Sequence, residues 1–237
     1  MIDPDRSILE IGPFTNPFMR GANVRYFDVL DTRALLARAI EVGYAINNPP
    51  HIDYVSADGD LSIVRDKFHA VVSSHVIEHQ PDLVSHLLNV ERLLHAGGAY
   101  FLVVPDQRYC FDYPLELSQE DDVVRAYVER RRRHTLDNVV RCRARTTHND
   151  AARHWNGDHF DPDYSDGMDH RQRAAVAEHQ NAGDRYVDVH AWQFTPSSFF
   201  RIIDFLYEKR LIRLVPSKVF NTPRNKDEFC AILTLRR

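Results

Sequence analysis

Cysteine is scarce in this chain of 237 residues. The three present, Cys110, Cys142 and Cys230, are odd in number and too widely spaced for a disulfide framework or a zinc knuckle. A reducing, cytoplasmic setting is the simplest expectation. No apolar run approaches the roughly 20 residues needed to span a bilayer, and the Asp-rich start shows no signal-peptide pattern. An excess of basic residues is also missing, since the formal net charge is -4. Bulk electrostatics therefore give no reason to expect nucleic acid as a partner. The local run Arg130 to Arg133 reads as a solvated helix face. Internal repeats and low-complexity linkers are absent as well, and the length suits one domain, or one domain with an elaboration.

What is present is an alternation of short apolar strands with amphipathic helices. SILEI at 7–11 and VRYFDV at 24–29 read as strands separated by only about a dozen residues, close to the minimum of ~10 to 12 for a parallel crossover. A helix of about one turn is expected between them, within Asn16 to Gly21. Thr32 opens a helix with Leu35, Leu36, Ala39 and Ile40 on one face, and Ile52 to Val55 is a third strand. From Phe68 to Asp106 the pattern is strongest. A buried strand turns polar at Ser73, Ser74 and His75. A helix follows, capped by Asp82 with Leu83, Leu87, Val90, Leu93 and Leu94 at helical spacing, then a Gly97-Gly98 stop and an apolar strand from Ala99 to Val104.

Residues 106–194 break the alternation. They are polar and hold seven of the 13 histidines, with helices expected around Glu120 to Arg133 and near Gln172 to Glu178. Order resumes at Thr195-Pro196-Ser197, a helix start followed by Phe199, Ile202, Ile203 and Leu206 on one face. Two closing strands, Ile212 to Phe220 and Glu228 to Leu235, flank a hairpin-like loop. The whole is an α/β chain, 1–237 forming a single domain in which 106–194 is an inserted cap.

Successive strand ends carry Glu10-x-Gly12, Asp28, Asp58 and Ser73-Ser74-His75, which in an open α/β sheet fall on the ligand-binding carboxyl edge. Taken singly, each has a plainer reading as a turn glycine, a cap or a structural histidine. Taken together, ILEIGP, YFDVLD, SADGDL, SSHVIEHQPD and LLHAGGAYFLVVPD resemble the sequential motifs of class I S-adenosylmethionine (SAM) dependent methyltransferases of the type 11 kind. The resemblance covers residues 7–106 closely and 192–237 moderately. It implies a doubly wound, mostly parallel, seven-stranded Rossmann-like sheet with an antiparallel last strand. It also implies SAM as cofactor, with Glu10, Gly12 and Pro13 at the methionyl end, Asp28 on the ribose hydroxyls, Asp58 and Gly59 at the adenine, and Ser74 and His75 at the sulfonium.

The first motif departs from the family pattern. Glu10-Ile11-Gly12-Pro13-Phe14-Thr15-Asn16-Pro17 has one glycine and two prolines without N–H donors, so Thr15 and Asn16 side chains are the candidates to replace lost donors. Only six residues precede the first strand, which suggests that an oligomer partner or a further domain covers that side.

Methyl transfer requires alignment of an acceptor, and a base where the acceptor is a hydroxyl or a protonated amine. The candidate bases are His79 and His190, then His75. Acceptor contacts are expected from Arg108 and Tyr109, just past the fifth strand, and from His148, Asn149, His154, Trp155 and Trp192. Arg108 could clamp an acidic group or pair with Asp112. The dense run from His148 to His159 admits three readings: contacts to a sugar or nucleotide-sugar, a divalent metal site, or a self-satisfied structural knot. No metal ligands are assigned from the sequence. The expected activity is methylation of a hydroxyl, less readily an amine, on a small polar or carbohydrate acceptor. A non-catalytic binding module of the same fold and a metal-assisted O-methyltransferase are the alternatives.

Overall fold

The computed structural model describes residue 3 and residues 5–236. Seven strands form one sheet: β1 (Ile8–Ile11), β2 (Val24–Asp28), β3 (Tyr54–Val55), β4 (Phe68–Ser74), β5 (Leu94–Pro105), β6 (Leu214–Val219) and β7 (Glu228–Leu235). Their spatial order is β3-β2-β1-β4-β5-β7-β6. The first five pair in parallel, and β7 runs antiparallel to both β5 and β6. The order reverses between β1 and β4, and an open sheet binds ligands at the carboxyl end of such a switch point. This is the doubly wound sheet with an antiparallel last strand expected from the sequence.

The helices are α1 (Thr32–Glu41), α2 (Leu83–Leu93), α3 (Glu120–Val128), α4 (Leu136–Ala144), α5 (Ala151–Trp155), α6 (Met168–Ala182) and α7 (Pro196–Glu208). Asp82 caps α2 by accepting from Ser85 N–H at 2.9 Å, and Thr195 caps α7 with Pro196 in its first turn. Leu83, Leu87, Val90 and Leu93 of α2 and Phe199, Ile202, Ile203 and Leu206 of α7 are fully buried in one core with β1, β4, β5 and β7. Burying a side chain of this size stabilises by roughly 1.5–3 kcal/mol before entropy is counted. Glu91 of α2, itself buried, accepts the N–H groups of Arg213 and Leu214 and so ties α2 to the start of β6.

Four local expectations are corrected. No helix forms within Asn16 to Gly21; β1 and β2 are joined by turns. Gly97-Gly98 does not end α2, which stops at Leu93. The glycines lie instead in the irregular start of β5, where pairing jumps from Phe68↔Leu94 to Ala70↔Ala99. The helix expected to run to Arg133 ends at Val128, so Arg130 to Arg133 form a turn and not a helix face. The third strand is shorter than expected, two residues.

Residues 106–194 divide their packing. Val123 and Ala126 of α3 join the main core, whereas α4 and α6 build a satellite core from Val139, Cys142, Ala175, Val187 and Val189. Neither α4 nor α5 was anticipated from the sequence. No helix among the described residues is long and apolar enough to cross a membrane.

Behind β4 lies a buried polar chain: Ser73 Oγ meets Tyr100 OH at 2.7 Å, and Tyr100 OH meets His86 Nε2 at 3.0 Å. Burial pushes His86 down to about 4. The unfolded chain, with an ordinary histidine near 6.5, takes up a proton that the fold refuses, so stability is lost as pH falls from about 6.5 towards 4, by up to about 1.4 kcal/mol per unit. His86→Leu should therefore lose on the order of 2 kcal/mol less than wild type between pH 7 and pH 5. Urea unfolding at the two pH values checks this, and equal losses in both proteins would refute it.

Candidate functional site

Gly12 ends β1 with φ +69°, and a Cβ there would sit 2.6 Å from Val76 Cγ2, in the segment leaving β4. Glycine is thus needed for both backbone shape and the close approach of the two strands flanking the switch point. Phe14 and His75 also have positive φ, 47° and 51°, without being glycine. Such conformations hold only where the surroundings enforce them, and here they flank the same crevice.

Glu10 lies beneath this turn, 2% exposed. Its Oε1 accepts from Phe18 N–H and its Oε2 from Met19 N–H, both at 2.8 Å. Burial raises its pKa, opposed by those two donors. The carboxylate thus organises the 12–23 loop that lacks a helix. Thr15 and Asn16 do not supply replacement donors to the crevice: both side chains donate to the Ala45 carbonyl, at 3.2 and 3.1 Å. They fasten the loop to the segment after α1. Pro13 is buried in the same turn.

Asp28 ends β2, nearly buried, with Oδ1 accepting from Leu30 N–H at 3.2 Å. Desolvation raises its pKa, against the backbone donors around it. Asp58 follows β3 in a tight turn with Gly59 at φ +70°, and accepts from Ser56 Oγ at 2.6 Å, which lowers its pKa. Beside it opens a groove of about 610 Å³, lined by Asp58, Gly59, Gln80, Tyr127 and Arg130 to Arg132.

The end of β4 carries Ser74 and His75, then a single 3-10 turn from Ile77 to His79. The Glu78 carbonyl accepts from Ala191 N–H at 2.7 Å and Trp192 N–H at 3.2 Å. Those bonds bring His190 onto the turn, so the three candidate histidines surround one carboxylate. Glu78 Oε1 is 3.5 Å from His75 Nδ1, 3.8 Å from His79 Nε2 and 3.9 Å from His190 Nε2. Each ring has its other nitrogen on a further carboxylate: His75 on Glu228 at 2.8 Å, His79 on Asp188 at 2.9 Å and His190 on Asp112 at 2.6 Å. Burial opposes the charged forms of His75 and His79, but the surrounding carboxylates outweigh it and raise both. Glu78, Asp112, Asp188 and Glu228 were not chosen as site residues from the sequence. They come from four distant segments, and only the His-Glu-His grouping near residue 79 was a visible signal.

The expected acceptor residues fall into three places. Arg108 forms a bidentate pair with Asp106, at 2.9 and 2.7 Å, and not with Asp112. Tyr109 stacks on Trp155 with centroids 3.9 Å apart and planes at 7°, while the Trp155 indole donates to Lys226 O. These three lie past β5. Trp192 is a core residue, 3% exposed, whose indole donates to Gln80 O, leaving no face for a ligand. The run from His148 to His159 is satisfied mostly from within, with Phe111, Asp161 and Lys226 outside it as further partners. Its contacts include His154 Nδ1 to His159 Nδ1 at 3.0 Å, His154 Nε2 to His148 O at 3.1 Å, Asn149 Oδ1 to Phe111 N–H, and Arg153 to Asp158 and Asp161.

Residues 12–102 match the family described as the methyltransferase domain. No curated protein matches the chain. Among solved structures, a SAM-dependent methyltransferase from Mesorhizobium loti is 22% identical over 45% of this chain and 50% of its own, with a TM-score of 0.32. The chain thus spans about half the length of that protein. The 1,6-didemethyltoxoflavin-N1-methyltransferase of Burkholderia thailandensis, solved with S-adenosylhomocysteine, is 10% identical over 98% of this chain and 72% of its own, TM-score 0.47. The magnesium protoporphyrin IX methyltransferase of Synechocystis is 9% identical over 98% and 74%, TM-score 0.42.

Gly12→Ala should destabilise the fold by about 1–3 kcal/mol, because it combines positive φ with a clash against the Val76 side chain. Thermal unfolding measures it; an unchanged Tm would show that the turn is not held by Val76.

Proposed function

We propose that this chain, whose residues 12–102 form a class I methyltransferase domain, binds SAM at the carboxyl edge between β1 and β4 and passes its methyl group to a hydroxyl of a small polar acceptor. The observation that carries the reading is the placement of Asp28. Its carboxylate ends β2 beside the Gly12 turn, nearly buried, and an acceptor-only group is what two ribose hydroxyls need. Asp58 and Gly59 at the next strand end suit the adenine edge, and Ser74 with His75 suits the sulfonium.

Bound SAM would supply a methyl group activated by its sulfonium, which an acceptor oxygen would take in line with release of a neutral thioether. The hydroxyl proton would then have to be taken up by a group of the chain on the acceptor side. His75, His79 and His190, which converge on Glu78, are the groups that would take it up. The Tyr109–Trp155 stack and the half-exposed Arg108 favour a polar acceptor with a flat or hydroxylated face, a sugar or glycan among them. The buried free thiols Cys110 and Cys142 fit work in the reducing cytoplasm.

Titration of the protein with SAM by calorimetry should show one saturable site. Asp28→Ala should weaken it by roughly 10- to 100-fold, the loss of one or two hydrogen bonds to a charged group. Absence of binding at millimolar SAM would remove the reading and leave a non-catalytic module of this fold.

A further inference from the structure

Glu78 is wholly buried, and neither of its carboxylate oxygens accepts a hydrogen bond among the described residues. An orphaned carboxylate is among the costlier groups to bury. Its ion-pair neighbours are all histidines, at 3.5, 3.8 and 3.9 Å. Charge-assisted hydrogen bonds close to about 2.7–2.9 Å, so these contacts are too long for direct bonding. They are close to the spacing of ligands around a shared ion: donors about 2.0–2.2 Å from a tetrahedral zinc lie roughly 3.3–3.6 Å from one another.

The rings are turned to match. His190 Nδ1 is hydrogen-bonded to Asp112 at 2.6 Å, and His79 Nδ1 lies 2.9 Å from Asp188 without hydrogen-bond geometry, which leaves the Nε2 of each ring as the nitrogen nearer Glu78. A metal-bound imidazole is oriented in this way by a carboxylate behind it. One ligand atom from each of Glu78, His79 and His190 lies within 4.8 Å of the others. Acid also outnumbers base locally, with Glu78, Asp112, Asp188 and Glu228 around three histidines and no lysine or arginine paired to Glu78 among the described residues.

We infer that Glu78, His79 and His190 bind a divalent first-row transition metal of the zinc class, with His75 flanking the site from the β4 side. Two imidazoles and one carboxylate leave coordination positions open, the pattern of a catalytic rather than a structural site. The ion's role rests on the methyl-transfer reading: it would take the acceptor oxygen and ease loss of its proton, the histidines then serving as ligands in place of a base. Its binding does not rest on that reading.

Chelator-treated protein titrated with zinc chloride by calorimetry should bind one ion per chain. Glu78→Gln, which preserves shape, and His190→Ala should each weaken binding by at least about 100-fold, and Asp112→Asn by about 10- to 100-fold as a carboxylate behind a ligand. Circular dichroism and thermal melting identify folded variants; should His190→Ala unfold, Glu78→Gln decides. His159→Ala, in the other histidine cluster, should bind as wild type does. Wild type taking up neither zinc, cobalt nor manganese overturns the site, as does a folded Glu78→Gln of wild-type affinity or loss of binding in His159→Ala. Zinc binding without SAM binding would remove the methyl-transfer reading alone, and the converse would remove the metal site alone.

Discussion

The two hydrogen bonds that Ala191 and Trp192 donate to the carbonyl of Glu78 hold the site together. They join the turn after β4 to a segment more than a hundred residues later, on its way back to α7. Trp192 anchors this join by burying its ring in the main core and donating its indole N–H to Gln80 O. Without this docking His190 would have no reason to meet His79, nor Asp112 to lie behind it. The carboxyl edge of the sheet and the long excursion of residues 106–194 are thus one structural unit at this point.

The electrostatics follow from that closure. Four acidic groups converge, with Glu78 and Asp112 buried and Asp188 and Glu228 at the rim, and imidazoles are the groups available to balance them. The contrast with His86 is instructive. That ring is more deeply buried and faces only a tyrosine hydroxyl, so burial alone acts and its pKa falls to about 4. His79 is part-buried among carboxylates, which outweigh its burial, so its pKa moves the other way. Burial opposes the charged form of both rings; the neighbours set the sign.

The turn after β1 is built more locally. Glu10 supplies two acceptors to Phe18 and Met19 N–H, doing for the loop what a short helix's own carbonyls would have done. This explains how β1 and β2 pair in parallel with turns alone between them. The expectation of a one-turn helix came from counting residues. The loop avoids it because Pro13 and Pro17 remove two N–H donors, and a buried side chain satisfies others.

Much of the fold was legible because its signals are local: continuous apolar strands, the Asp82 and Thr195 caps, the helical spacing in α2 and α7, and polar groups where strands end. Those determine an α/β sheet with Asp28, Asp58, Ser74 and His75 along one edge. Helices α4 and α5 were not legible, since short polar helices bury few residues and leave little periodicity. Nor could the sequence tell that Arg108 pairs with Asp106, that Trp192 is core, or that the His148 to His159 run satisfies itself. By itself, the sequence determined which strand ends would carry polar and acidic groups, because backbone hydrogen bonding and side-chain burial repeat along the chain. Only the tertiary structure decided that Glu78 would stand unbonded among three histidines, because those groups meet through contacts between residues far apart in the chain, and no periodic pattern encodes such meetings.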